Sequence, residues 1–158
     1  MVSVPTEKPP YKAYATIAGA FFGGLATVAA LSRRSPPGRA FDFVALAGAT
    51  FKASRTLSRE RMGSFVRQPF VEGDAEVGEE EQPAGSGLQR AIGELVTCPR
   101  CLGTWTAAAL ASTQMLTPRF GRLLTWTLGA SAANDFLQAA FTAVCAKANQ
   151  LEDEAPTR

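Results

Sequence analysis

Histidine is absent from this chain of 158 residues. Its absence removes the commonest general base and the commonest neutral metal ligand. Cysteine is scarce: three thiols make an odd number and no disulfide framework. Neither charge sign dominates, with 16 Lys and Arg against 14 Asp and Glu for a formal net charge of +2. No nucleic-acid partner is expected from that balance. No catalytic constellation stands out either, so neither enzyme chemistry nor a cofactor is expected.

What is present is apolar sequence in blocks. Mean hydropathy is +0.01, but this average mixes long apolar runs with an acidic loop and a charged tail. Residues 1–12 are polar, hold three prolines and read as poorly ordered. Ala13 to Leu31 then runs without a charge, close to the ~20 apolar residues that cross a bilayer as a helix. A signal peptide would have a shorter apolar core and a small-residue cleavage site. Ser32-Arg33-Arg34 follows instead, which favours a retained membrane helix. Ala15, Gly19, Gly23 and Thr27 recur every fourth residue, a small-residue stripe of the kind that lets helices approach closely.

Ser35-Pro36-Pro37-Gly38 reads as a turn. The segment 40–59 is apolar but interrupted by Asp42, Lys52, Arg55 and Arg59. It is either a short span whose basic end snorkels to the interface or a helix lying on an anionic surface. Residues 71–87 are glycine-rich and acidic, with six acids between Glu72 and Glu81, and read as a loop. Helices are expected again at about 98–116 and 120–146, separated by Thr117-Pro118. Trp105 and Trp126 stand near their starts as interfacial anchors, and Gly103, Ala107 and Ala111 form a second small stripe. The tail 147–158 is charged and expected to be solvated.

Basic residues favour the cytoplasmic side of a membrane. If 40–59 spans, Arg33, Arg34, Arg39, Arg119 and Arg122 lie outside. If it lies flat, Lys8, Lys12, Arg119 and Arg122 do, a count slightly in favour of the flat arrangement. Both versions place the segment 60–97 and the C-terminus in the cytoplasm.

Three blocks now carry a resemblance: Ala49-Thr50-Phe51-Lys52-Ala53-Ser54-Arg55, then Arg67-Gln68-Pro69-Phe70, then Gly93-Glu94-Leu95-Val96-Thr97-Cys98-Pro99-Arg100-Cys101-Leu102-Gly103-Thr104-Trp105. With Asn134-Asp135-Phe136-Leu137-Gln138 they resemble the domain of unknown function 1360 family of small bacterial membrane proteins, over roughly Phe41 to Val144. The first helix looks like an extension. The resemblance implies a multi-pass protein of the bacterial cytoplasmic membrane in which the segment from Phe41 is a true span. The expected fold is therefore an all-α polytopic membrane protein over 13–146 with about four helices, three spans plus an interfacial helix being the alternative. The resemblance brings no reaction with it.

Cys98-Pro99-Arg100-Cys101 is the sharpest motif. Proline suits a first helical turn, which puts Cys98 at a helix start, where the dipole and Arg100 favour its thiolate. Cys101, one turn further in, is expected to be the less reactive thiol. The pair reads as packing, as a redox couple, or as half of a metal site that Cys145 or a second subunit would complete. On the last helix Thr127, Ser131, Asn134, Asp135, Gln138 and Thr142 form a polar stripe. This reads as an interhelical clamp of Asn134, Asp135 and Gln138 with Lys52 or Arg55, or as an ion path. Arg55, Arg59, Arg61 and Arg67 are expected to meet anionic headgroups, and the acids of 72–81 to keep their loop soluble. The leading functional expectation is a structural or assembly role through helix packing, with a homo-oligomer as partner. The alternatives are a thiol-redox or metal-binding membrane protein and, more remotely, a small transporter or channel subunit.

Overall fold

The computed structural model describes residues 10–32, 40–73 and 81–153. The N-terminal nine residues, the Ser35–Gly38 turn, the centre of the acidic loop and the last five residues lie outside them. Among the described residues the chain is mostly helical, with six α-helices: α1 (Tyr11–Leu31), α2 (Ala40–Arg59), α3 (Ser64–Arg67), α4 (Gly87–Thr97), α5 (Pro99–Leu116) and α6 (Pro118–Asp153). By length and composition, α1 is the one helix among them apolar enough to cross a membrane. The polar residues of α2 and α6 dilute their apolar runs.

Two local expectations are corrected. Residues 71–87 are not all loop, because β1 (Val71–Glu72) pairs antiparallel with β2 (Gln82–Pro83), and Ala84 N–H donates to Phe70 O at 2.9 Å. A two-residue strand is too short to show alternation. The last helix, expected at about 120–146, also runs further, into the charged tail. The good helix formers Ala146, Lys147, Ala148, Gln150 and Leu151 carry α6 on to Asp153.

Helix direction follows from which residues meet. Phe41 packs edge-on to Trp126 at 5.6 Å, a Cβ at Gly48 would lie 3.5 Å from Gly129 Cα, and Lys52 meets Asp135. Residue numbers rise together, so α2 and α6 run parallel. Tyr14 donates to Glu94 at the end of α4 and Phe21 packs on Trp105 at 5.0 Å, so α1 runs parallel to α5. The α5–α6 connection is a tight antiparallel hairpin. A Cβ at Gly121 would lie 2.5 Å from the Gln114 backbone, and Gln114 Nε2 donates to the buried Thr125 hydroxyl at 2.7 Å.

The small stripe that lets helices meet is not the expected one. Gly19 and Gly23 of α1 face open space, and a Cβ at Gly103 would meet only Ser54 Oγ at 3.9 Å. The close approach is between α2 and α6, where Ala49 and Ala132 are buried and a Cβ at Gly129 would lie 2.9 Å from Ala45 O.

Candidate functional site

Cys98 joins α4 to α5. Its extended backbone (φ −100°, ψ 107°) breaks the helix, Pro99 opens the next one, and the Cys98 sulfur accepts the Cys101 N–H at 3.3 Å. Proline needs no partner for a missing N–H in a first turn, and the cap satisfies one donor left over there. Both thiols are free, Cys98 half-buried and Cys101 exposed. Donation from the Cys101 thiol, then from backbone N–H groups, with Arg100 nearby, lowers the Cys98 pKa below its ordinary value. The same contact raises that of Cys101, which keeps its proton to donate it.

Cys101 also borders a cleft of about 480 Å³ between α1, α4 and α5. Phe21, Phe22 and Trp105 form aromatic walls, and Tyr14 and Glu94 supply polar groups. Tyr14 Oη donates to Glu94 Oε2, and Arg90 Nε reaches Glu94 Oε1 at 3.3 Å. Sequence reasoning missed Tyr14 and Glu94, because a tyrosine at a helix start and an acid after glycine carry no local signal.

Cys145 is exposed on α6. Among the described residues no three Cys, Asp or Glu side chains come together to hold a metal. The third thiol therefore does not join the pair, because the chain places it on a helix that packs along α2 and away from the α4–α5 junction.

The polar stripe of α6 divides. Asp135 Oδ2 accepts from Lys52 Nζ at 2.9 Å, and Lys52 also reaches Glu60 Oε1 at 3.2 Å. Arg55 is exposed, as are Asn134 and Gln138, so neither the second cation nor these two amides join the clamp. Thr127 and Thr142 instead donate to the carbonyls four residues back.

Arg67 requires a correction. Arg55, Arg59 and Arg61 are exposed, but Arg67 is 2 % exposed and cannot reach a headgroup. Its guanidinium grips Glu81 through Nε at 2.5 Å and Nη2 at 3.0 Å. Nη1 meanwhile donates to Leu57 O at 2.7 Å and Glu60 O at 3.1 Å. One side chain thus closes the C-terminal end of α2 and holds Glu81, giving that acid a structural partner where only solvation was expected.

Neither the curated proteins nor the solved structures yield a match. Residues 45–141 match the family model described as protein of unknown function DUF1360. That span takes in α2 from Ala45 on, the Arg67–Glu81 pair, Cys98, Cys101 and Asp135, leaving α1 and Cys145 outside it. With more than half of its length matched, the chain belongs to the DUF1360 family.

Proposed function

We propose that this is an integral protein of the bacterial cytoplasmic membrane, with α1, α2, α5 from Leu102 and α6 as spans, whose working group is the Cys98–Cys101 dithiol at the cytoplasmic border. The observation that carries the membrane reading is an inside-out distribution of side chains. The largest fully buried side chains are Arg67 and Thr125, and the buried apolar residues are mostly alanine. Large apolar groups face outward, with Phe22 68 %, Phe43 72 % and Phe141 71 % exposed. Water does not tolerate such a surface on a monomer. Lipid does, and small residues between helices are what membrane packing uses.

Helix direction supports four spans over three. A chain crossing four times alternates direction, so its first and third spans run parallel, as do its second and fourth. Those are the observed pairs, α1 with α5 and α2 with α6. This order puts Arg55, Arg59 and Arg61 toward the cytoplasmic headgroups. In a protein freed of its own cysteines, Ser32→Cys and Phe120→Cys should react with a membrane-impermeant maleimide in intact cells. Gln82→Cys should react only after permeabilisation. Labelling of Gln82→Cys in intact cells would reverse the orientation.

For the dithiol, the carrying observation is exposure. A pair kept for packing would be buried, whereas Cys101 is open and Cys98 half-open. With Cys145 replaced by serine, Cys98 in Cys101→Ser should alkylate with a half-point below the ordinary thiol pKa of ~8.5. Serine keeps a donor at position 101, so the stabilised thiolate persists. Cys101 in Cys98→Ser should have the higher half-point, making Cys98 the faster thiol at neutral pH. Equal rates at all pH values would remove the redox reading.

Asn134 and Gln138 favour a second reading alongside the first. Two exposed amides among exposed Phe136, Leu137 and Phe141 are poor lipid-facing groups, and pairing with a second copy through α6 would satisfy them. That supports assembly by helix packing.

A further inference from the structure

The dithiol and the aromatic cleft meet at Cys101, and this junction suggests what the thiols exchange electrons with. The cleft opens between helices that carry outward-facing apolar residues such as Phe22. On the membrane reading it is reached from lipid. A soluble, charged disulfide oxidant gains little from walls made of Phe21, Phe22 and Trp105. A planar, uncharged ring gains stacking and apolar burial there. The polar groups are Tyr14 and Glu94, and a Tyr14 hydroxyl turned from Glu94 would donate to a carbonyl oxygen on such a ring. The volume of about 480 Å³ is in the range of small-molecule sites.

Resting on the dithiol reading above, we propose that this cleft binds a lipid-soluble quinone, which oxidises Cys98 and Cys101 to a disulfide. The step balances. Two S–H bonds break and one S–S bond forms between Cys98 and Cys101. Two electrons and two protons pass to the quinone, whose two carbonyl oxygens become the hydroxyls of a hydroquinone. The i, i+3 spacing at a helix start is that of a dithiol able to close into such a ring.

The test uses the reduced full-length protein in lipid nanodiscs under anaerobic conditions, with a short-chain, fully substituted benzoquinone to which thiols cannot add. One quinone should be reduced for every two thiols lost, much faster than by dithiothreitol at the same thiol concentration. Tyr14→Phe should slow this about tenfold, the equivalent of one hydrogen bond, without slowing disulfide formation by diamide, a soluble thiol oxidant. In Trp126→Phe the quinone should quench the remaining Trp105 emission saturably. If diamide closes the disulfide but quinone reacts no faster than with dithiothreitol, the cleft assignment falls and the dithiol reading stands. If neither oxidant joins Cys98 to Cys101, the dithiol reading falls with it.

Discussion

Arg67→Met is expected to lower stability by about 3–5 kcal/mol, the range for removing one partner of a buried ion pair. The substitution strands the half-enclosed Glu81 carboxylate, 14 % exposed. It also removes the Arg67 hydrogen bonds to Leu57 O and Glu60 O at the end of α2, where carbonyls lack helical partners, although Glu60 O keeps its bond from Gly63 N–H. Arg67→Lys should recover only part of the loss. An ammonium is a point charge and cannot hold both oxygens of Glu81 while also serving two carbonyls. Arg67→Met with Glu81→Gln should be more stable than Arg67→Met alone, because no carboxylate is then left without its cation. Thermal unfolding in detergent reads all three. A loss below about 1 kcal/mol in Arg67→Met, typical of an exposed ion pair, would mean the contact is a surface one.

The second large effect lies at the α2–α6 crossing. Gly129→Val should separate these helices, since a Cβ there would already be 2.9 Å from Ala45 O and the obstructing atom is backbone. Overpacking of this kind costs about 1–3 kcal/mol and sometimes more, and separation would also weaken the Lys52–Asp135 contact. Gly48→Ala provides the contrast. Its Cβ would meet Gly129 Cα at an ordinary 3.5 Å, so it should not destabilise, and alanine's better helix propensity should raise stability by up to about 1 kcal/mol. In α1, Gly19→Ala enters open space and should be neutral or stabilising, because alanine is the better helix former by about 1 kcal/mol. Equal losses at Gly19, Gly48 and Gly129 would contradict the packing.

Family membership and helical character were legible because they rest on local pattern: apolar blocks, proline after Cys98, and the Cys-x-x-Cys block with its flanking glycine and tryptophan. Asp135 is conspicuous as a single charge amid apolar neighbours, but Lys52 and Arg55 were equal candidates for its partner, and the choice between them follows from the face that α2 turns to α6. Arg67 could not be separated from Arg55, Arg59 and Arg61. All four sit in one basic run, and burial of one depends on where Glu81 returns after the acidic segment. The glycine stripe in α1 and the contact glycines of α2 and α6 look equally suitable in sequence. Which of them meets a neighbour is decided by the rotation of each helix in the assembled fold. The cleft was illegible for a similar reason, as its walls come from α1, α4 and α5 and none of those segments describes a cavity alone.

The pairing of parallel helices also sets an order of events during synthesis. Lys52 waits for Asp135, 83 residues downstream. At ~5–20 residues per second a ribosome needs about 4–17 s to make that stretch. Through that interval α2 has emerged with its lysine lacking the α6 partner, and its polar residues make it a weak candidate to settle in lipid alone. On the membrane reading, α2 therefore completes its insertion only when α6 arrives. A chain ended before residue 135 should leave Gln82→Cys open to a membrane-impermeant maleimide in intact cells, because α2 has not crossed back, whereas the full-length chain should protect it.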